Sequence, residues 1–393
     1  MQHTPDYSRY SLKELQQARD TIDVVEYPER ANELDRLIAQ HQPTIDTHAS
    51  PHKILTKAQV KFHGNTSEYF SIWIVNLMLT IVTLGIYSAW ATVRNNRYFY
   101  GNTEIDGHHF SYLAEPLQIL KGRLVAVVLF AGYFIASALN PVVAVFIGLG
   151  LFAAMPFLVV WSMRFKMRMT AYRNVRFNFK GNYGRAFLLF VVLPIVSVFT
   201  LHLMLPWVLK SMDEFLLDER GYGDRKFDTE LSTGEYYATG FGCVLMGIVL
   251  MIIFSSLLGG VMTATQSTSS VSVMTVVMFA FYLMAYAIVY GFYKGRIRNH
   301  IFNHSKIDGV ATFDSSIAIG DLILLYITNT IAVVCTLGFA IPWAKVRMAK
   351  FFANATQVTL YEGMNEVVAG DSGDASAIAE ETATLFDVDI ALG

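Results

Sequence analysis

Long apolar runs alternate with charged segments along most of the chain. Between residues 69 and 341 these runs are 16 to 26 residues long and contain almost no charge. The hydrocarbon core of a bilayer takes about 20 helical residues to cross. The pattern therefore predicts an α-helical polytopic membrane protein. The seven runs occupy residues 69–90, 124–139, 142–163, 186–209, 238–263, 271–293 and 317–341.

The composition supports a membrane protein. Of the 393 residues, 53% are hydrophobic and 16% are charged, whereas about a quarter of the residues are charged in soluble domains. The net charge of -2 favours no class of partner, and no nucleic-acid partner is predicted. The first 50 residues are polar and lack the apolar core of a secretory signal, which predicts an N-terminus in the cytoplasm.

The first run belongs to a motif that returns later in the chain. Residues 69–98 recur 253 positions further on, so that Asn76 corresponds to Asn329 and Trp90 to Trp343. A weaker copy with the same tryptophan lies at an offset of 117. A recurring motif of this kind predicts an architecture with internal pseudo-repeats.

The distribution of Lys and Arg bears on how the runs cross the membrane. If all seven runs crossed, 16 of these residues would lie on one side and 14 on the other, which gives no orientation signal. If the three copies of the motif instead enter the bilayer and return, only the hairpins 124–163 and 238–293 cross, and all 30 Lys and Arg share one side. We favour this second arrangement, with both termini in the cytoplasm. Inverted repeats of three crossings, as in many transporters, remain the alternative.

Each copy of the motif contains a residue at which a helix can break, namely Gly85, Gly338 and Pro194. A broken helix at membrane depth requires other protein groups or a wet cavity to satisfy the freed backbone. The copies are therefore predicted to bend back within the bilayer.

Short segments between the runs have the alternation and turn residues of β-hairpins. Residues 105–110 and 307–313 each contain Asp-Gly flanked by apolar positions. They predict a small β-rich layer on the cytoplasmic, juxtamembrane side. We thus expect a helical N-terminal segment over residues 1–50, a repeated membrane domain over 57–360, and an acidic, partly disordered tail over 361–393.

Polar residues inside the apolar runs are candidate functional residues. An amide or hydroxyl group in hydrocarbon must find a hydrogen-bond partner, so these residues mark either helix-to-helix contacts or a polar path. The histidine among them could be a proton-linked switch or a structural residue. The set consists of Asn76, Asn329, Thr83, Thr336 and His202.

Tryptophan and basic residues recur at the end of the motif. Indole rings are stable at the membrane–water boundary, and Lys and Arg attract anionic head groups. This set predicts an interfacial anchor whose partner is the lipid bilayer with its anionic lipids. It consists of Trp90, Arg94, Arg97, Trp207, Trp343, Arg347 and Lys350.

The sequence lacks the motifs that carry common enzyme chemistry. It contains no phosphate-binding loop, no G-x-S-x-G, no H-E-x-x-H and no C-x-x-C. His300 and His304 stand four residues apart but have no companion ligands in sequence, so no metal site is predicted. We expect neither an enzyme nor a cofactor.

The motif also resembles a known family, the YjgN-type family of bacterial inner-membrane proteins, over roughly residues 60–360. Members have Pro where this chain has Ala89 and Lys where it has Thr92, although the last copy has both, as Pro342 and Lys345. The family has no established function, so the resemblance implies an inner-membrane location and no activity or site residue. The matching stretches are Trp73-Ile74-Val75-Asn76-Leu77, Thr83-Leu84-Gly85-Ile86-Tyr87, Trp90-Ala91 with Val93-Arg94, Tyr98-Phe99-Tyr100-Gly101-Asn102-Thr103 and Ile119-Leu120-Lys121-Gly122-Arg123.

The repeated, interrupted membrane motif with its paired asparagines favours a transporter or channel for a small solute or lipid. The alternative hypothesis is a non-transporting scaffold that recruits cytoplasmic partners through its N-terminal helices and acidic tail. Neither hypothesis identifies the solute or the protein partner.

Overall fold

The computed structural model describes residues 53–264 and 270–368, and in addition Tyr27, Arg30, Ala31, Leu34 and Arg36. Most of the predicted N-terminal helical segment and the acidic tail beyond residue 368 lie outside the described residues. The chain divides into two compact units, residues 1–53 and 54–393. The architecture below is that of the second unit.

The described part of this unit contains ten longer helices that pair in sequence as five helical hairpins, and a short 3-10 helix, Glu362–Asn365, after the last strand. Two hairpins are long (α3–α4 and α7–α8) and three are short (α1–α2, α5–α6 and α9–α10). The helices are α1 Thr66–Val82, α2 Ser88–Gly101, α3 Pro116–Leu139, α4 Pro141–Arg168, α5 Tyr183–Phe199, α6 Leu205–Asp218, α7 Thr233–Ala264, α8 Ser270–Asn303, α9 Ile319–Cys335 and α10 Ile341–Asn354.

The four helices of the long hairpins are long and apolar enough to cross a membrane, judged by length and composition among the described residues. Helix α3 has 24 residues, which corresponds to about 36 Å. At its end Asn140 accepts a hydrogen bond from the backbone N–H of Val142 (2.9 Å), and Pro141 opens α4. The polar cap and the proline make the tight reversal that Asn-Pro predicts.

The short hairpins reverse through a left-handed turn. Helix α1 has 17 residues, or about 25 Å, and the chain turns at Leu84 (φ 50°) and Gly85 (φ 93°) before α2. Leu337 (φ 51°) and Gly338 (φ 93°) form the same turn between α9 and α10. Leu84 is 95% exposed at this tip, a position at which an apolar side chain is stable in lipid rather than in water.

Each helical hairpin is followed by short strands, and all of these strands join one antiparallel sheet. Its strand order is β1-β11-β10-β9-β8-β7-β6-β5-β4-β3-β2 among the described residues. The strands are β1 Ile54–Gln59, β2 Lys61–Phe62, β3 Thr103–Ile105, β4 His108–Tyr112, β5 Thr170–Tyr172, β6 Val175–Phe179, β7 Arg220–Tyr222, β8 Arg225–Thr229, β9 Ser305–Ile307, β10 Ala311–Ser315 and β11 Thr356–Tyr361.

The sheet curls into a nearly closed ring. Its two ends, β1 and β2, are separated along the chain by Val60 alone, whose backbone N–H donates to Thr356 O (3.0 Å). Strand β1 pairs with β11 and β2 pairs with β3. The expectation of a small β-rich layer is therefore wrong: every connection between helical hairpins contributes strands, and neighbouring contributions pair with one another into a ring.

The ring has an apolar interior. Tyr172, Tyr222, Val358 and Leu360 are all less than 10% exposed there, and Met364 packs among them from the segment that follows β11. This core lies at the end of the molecule to which the helices of all five hairpins return.

Candidate functional site

A central cavity of about 1040 Å³ lies between the helices and the ring. Its walls come from the second helix of every hairpin, from the first helices α1, α3 and α9, and from side chains of the strands. At one end it is lined by Leu283, Val334 and Ile341, which belong to apolar helix segments, and at the other end by Leu360 and Met364 of the ring core. The cavity therefore joins the helical part of the fold to the ring interior.

A belt of five equivalent residues surrounds the cavity where the helices meet the ring. Each belt residue is the first residue of a strand, and its side chain donates to the backbone carbonyl four residues earlier, at the end of the preceding helix. These bonds are 2.7 to 2.8 Å long. The belt residues are Thr103, Thr170, Arg220, Ser305 and Thr356, and all five line the cavity.

Arg220 is the exception in this belt, because the other four positions hold hydroxyl side chains. Its Nε donates to Leu216 O (2.8 Å), just as the hydroxyl groups at the other four belt positions donate to the carbonyl four residues earlier. Arg220 is only 7% exposed, and burial lowers the pKa of its guanidinium to about 10. The group is still protonated at neutral pH, so the belt carries a buried positive charge.

Arg298 adds a second buried cation beside the belt. Its Nη1 donates to Ser315 Oγ (2.8 Å) and its Nη2 to Thr356 Oγ1 (2.9 Å). The guanidinium lies 4.0 Å from the ring centroid of Phe302. Its Nε has no hydrogen-bond partner among the described residues, so one donor of this charge remains unsatisfied.

The charge of the cavity wall has one sign. Arg123, Lys166 and Lys345 line the wall in addition to the two buried arginines, and no described residue of the lining is Asp or Glu. Arg123 donates to Thr92 Oγ1 (2.9 Å). The wall can therefore stabilise an anion and would repel a cation.

The paired asparagines lie at different distances from this cavity. Asn76 is buried, and its Nδ2 donates to Asn95 Oδ1 (3.1 Å) across the first short hairpin. Asn329 is also buried, accepts from Arg347 Nη1 (3.0 Å), and lines the cavity. Its Nδ2 has no partner among the described residues.

The two predicted threonines lie at the tips of the short hairpins. Thr83 Oγ1 donates to Leu79 O (2.7 Å) and accepts from the backbone N–H of Tyr87 (2.9 Å). Thr336 makes the equivalent pair of bonds with Ala332 and Ala340. Both threonines satisfy backbone groups that the turn frees from the helix.

The tip of the remaining short hairpin, α5–α6, has its turn at a different place from the predicted break. Helix α5 contains a π-helical segment, Leu188–Val192, directly before Pro194, and continues to Phe199. The chain reverses only at Leu201 (φ 52°) and His202 (φ 62°). Pro194, predicted as the break, thus lies before the turn, because the wider π turn accommodates the proline without ending the helix. The His202 side chain is exposed at the tip.

The predicted lipid anchors lie along the second helices of the short hairpins. Trp90, Trp207 and Trp343 are close to the tips, and the basic residues follow towards the ring. Trp207 is 37% and Trp343 38% exposed, and the Arg347 guanidinium lies 5.0 Å from the Trp343 ring centroid. The remaining members have these positions: Arg94 and Lys350 are exposed, and Arg97, also exposed, donates to Ala114 O (3.1 Å).

The far end of the ring is covered by the segment after β11. The backbone N–H of Asp224, in the β7–β8 turn, donates to Val368 O (3.1 Å). Gly363 lies so close to Gly309, in the β9–β10 turn, that an added Cβ would be 2.3 Å from Gly309 O. Together with the buried Met364, these contacts place the segment across the ring opening.

Sequence reasoning missed the buried arginines. Arg220 and Arg298 lie in charged segments between the apolar runs, where nothing distinguishes them from solvated residues. Aligning the ends of the five second helices would have identified Arg220, because only there does an arginine replace Thr or Ser.

Residues 57–385 match the model of a family described as bacterial protein of unknown function (DUF898). The chain is 38% identical over 119 residues to the inner membrane protein YjgN of Escherichia coli O157:H7 and of strain K12, which is 30% of each chain. It is 30% identical over 148 residues, or 37% of each chain, to the inner membrane protein YjgN of Salmonella typhimurium. Each matched region spans less than two fifths of these relatives. No solved structure matches.

Proposed function

The chain belongs to the DUF898 family of bacterial proteins of unknown function, and from this premise we propose that it moves a small solute or lipid through its central cavity. Its relatives are inner membrane proteins, and its four long apolar helices fit membrane integration. The cavity of about 1040 Å³ carries the proposal. Typical ligand sites measure about 300–1,000 Å³, and this one leads from apolar helix segments into a ring.

We place the ring on the cytoplasmic side. All 30 Lys and Arg lie outside the segments 124–163 and 238–293, which form most of the long hairpins, and basic residues favour the cytoplasmic side. In this orientation only the long hairpins cross. The short hairpins enter from the ring side and return, with their tryptophans and basic residues anchored near anionic head groups.

Single-cysteine labelling tests this orientation in variants that lack Cys243 and Cys335. His108→Cys and Lys226→Cys lie on exposed ring positions, and Val142→Cys lies at the tip of the first long hairpin. We expect the two ring positions to react only from the cytoplasm and Val142→Cys only from outside. Labelling of His108→Cys and Lys226→Cys from opposite sides would support seven crossings instead.

The internal repeat is part of the proposal. A pair of helices followed by strands occurs five times in the described unit, and the belt residue occupies the same place each time. We propose that the five units are pseudo-repeats arranged around the cavity. Such an arrangement places the cavity at the interface of the repeats, where many transporters built from repeats bind their substrates.

A cavity-filling variant tests transport. Ala349 lines the cavity, whereas Val128 is 64% exposed on the outer face of a long hairpin. A strain lacking the protein would be screened for uptake and growth on a panel of solutes and lipids, and then complemented. We expect Ala349→Trp to fail to complement the strain and Val128→Trp to restore the wild-type phenotype. Thermal melting should show that both variants are folded.

The same complementation separates transport from a scaffold. A scaffold that works without a solute route requires its N-terminal segment or its tail and tolerates a filled cavity. Complementation by Ala349→Trp, together with failure of chains lacking residues 1–50 or 369–393, would therefore replace the transport proposal by the scaffold. The second truncation begins after Val368, so that the segment covering the ring is retained.

A further inference from the structure

Arg220 has more hydrogen-bond donors than its place in the belt requires, because one donor is enough to cap the end of the preceding helix. The other four units cap the preceding helix with the hydroxyl group of Thr or Ser. Arg220 caps the helix with Nε alone. Its two terminal nitrogens form no hydrogen bond with the described residues, although the residue is 7% exposed. The four N–H donors of these two nitrogens therefore have no partner among the described residues, and Arg220 lines the cavity.

The two buried arginines form no salt bridge with a described residue, since neither Arg220 nor Arg298 has a carboxylate within 4.0 Å. The carboxylate that acts on Arg220 electrostatically is Asp213, which accepts a hydrogen bond from the Tyr236 hydroxyl group (2.6 Å). A buried ion without a partner is strongly destabilising, and such ions are normally paired or satisfied by a ligand. Among the described residues, no acceptor binds the terminal nitrogens of Arg220, Nε of Arg298 or Nδ2 of Asn329. All of these favour an anion.

The apolar end of the cavity fits a hydrophobic group on the same ligand. Leu283, Val333 and Ile341 continue the wall away from the belt. Val334, also in the wall, is 48% exposed on the helix surface, so the wall reaches the face of the protein that fits contact with lipid. A purely hydrophilic anion would gain nothing from these contacts, whereas an acyl chain would bury apolar area there.

We propose that the central cavity binds an anionic amphiphile, with a phosphate or carboxylate head at Arg220 and Arg298 and an acyl chain along Leu283, Val333 and Ile341. This inference rests on the proposed function, since it names the class of molecule that the cavity takes. The ligand reaches the cavity from the bilayer beside Val334. The basic residues Lys166 and Lys345 of the wall attract its head from the membrane surface.

The belt supplies a variant that should fold. Arg220→Thr introduces a side chain type that the other units use at this position, and it retains the bond to the helix end. Arg220→Lys retains the charge. Arg176→Thr makes the same chemical change at an exposed arginine that lies outside both the cavity wall and the predicted lipid anchors. All three are compared with the wild-type full chain in nonionic detergent.

Binding is measured by native mass spectrometry and a fluorescence titration with three probes. These are oleoyl lysophosphatidic acid, oleoyl lysophosphatidylcholine and inorganic phosphate. We expect the wild type to prefer lysophosphatidic acid at least tenfold over both other probes. Arg220→Thr should weaken the binding of lysophosphatidic acid 10- to 100-fold, in line with the loss of a charged hydrogen-bond donor, without lowering the melting temperature. Arg220→Lys and Arg176→Thr should stay within threefold of the wild type.

Three results would overturn the proposal. Equal binding of the two lysolipids would show that the head charge is not recognised. Equal affinity for inorganic phosphate would show a hydrophilic anion site without a role for the chain. Equal losses in Arg176→Thr and Arg220→Thr would show surface adsorption. In each case a failure of Ala349→Trp in complementation would leave the solute route standing, so the two proposals fail separately.

Discussion

The side-chain amide of Asn76 donates to Asn95 Oδ1 over 3.1 Å and so joins the two helices of the first short hairpin. Interhelical hydrogen bonds in membranes stabilise by about 0.6 to 2 kcal/mol. We expect Asn76→Leu to lower the stability of the purified protein by about 1 kcal/mol, measured as a loss of melting temperature in detergent.

Met78 provides the control for this change. It lies on the same helix and is 54% exposed, so Met78→Leu should leave the melting temperature unchanged. An Asn76→Leu protein with wild-type stability but no complementing activity would contradict the contact role. It would make Asn76 part of a polar path instead.

The left-handed tip predicts opposite effects for two glycines of the first short hairpin. Gly85 has φ 93° and nothing within 4 Å of an added Cβ, whereas Gly101, at the end of α2, has the same free space in helical backbone. Gly85→Ala should cost about 1 kcal/mol because a side chain is strained at positive φ. Gly101→Ala should stabilise by up to about 1 kcal/mol. Thermal melting of both variants decides this, and a Gly85→Ala protein as stable as the wild type would show that the tip relaxes to another turn.

Asp218 predicts a pH dependence of stability. Burial, with a contribution from nearby Glu214, raises the pKa of its carboxyl from 3.8 to about 6. The folded chain therefore binds this proton more tightly than the unfolded chain does. The stabilisation is complete below pH 3.8 and is lost as the pH rises through about 6.

Replacing this carboxylate should remove the pH dependence. We expect Asp218→Asn to raise the melting stability at pH 8 by about 1 kcal/mol, a value reduced for the partial exposure of the side chain. The gain should be smaller at pH 4.5, where most of the stabilisation by the protonated carboxyl is still present. The exposed Glu230→Gln serves as the control. A gain of equal size at both pH values would show that the amide stabilises by hydrogen bonding rather than by removing a charge.

The closure of the ring can be tested by cross-linking. Lys57 and Thr359 are direct partners between β1 and β11, and Thr359 is also the partner of Thr312 on β10. In a background without Cys243 and Cys335, Lys57→Cys with Thr359→Cys should form a disulfide on mild oxidation, seen as a mobility shift on non-reducing gels. Lys57→Cys with Thr312→Cys, two strands or about 10 Å apart, should not react. Failure of the first pair would mean that the ring is open between β1 and β11.

Much of the membrane part could be predicted from the sequence. The two hairpins expected to cross correspond to α3–α4 and α7–α8, because uncharged runs of helix length carry an unambiguous signal. The family resemblance carried by the first motif is confirmed by the family match and the YjgN relatives. The turns at Gly85 and Gly338 lie where the sequence suggested a break.

The ring could not be predicted in the same way. Strands β3, β5, β7 and β9 have three residues each, too few to show a period of two. Their pairing joins segments that are separated by whole helical hairpins, so no local turn signal announces it. Strands β1 and β11, which close the ring, are about 300 residues apart in the chain.

Most of the candidate site could not be predicted either, because it depends on the ring. The predicted asparagines were found because an amide in an apolar run is conspicuous. Arg220 and Arg298 are recognisable as site residues only from their burial in the folded protein, where Arg298 contacts Thr356 of β11. A charged residue in a charged segment has no sequence signal for burial.

The pairing of β1 with β11 also orders the events of biosynthesis. Residue 59 leaves the ribosome some 300 residues before residue 361, an interval of about 15 to 60 s at usual rates of elongation. Throughout that time the nascent sheet exposes open edges that could pair with other chains. All five helical hairpins are synthesised before β11 is complete, so the sheet cannot close between β1 and β11 until the whole helical part of the chain has been made.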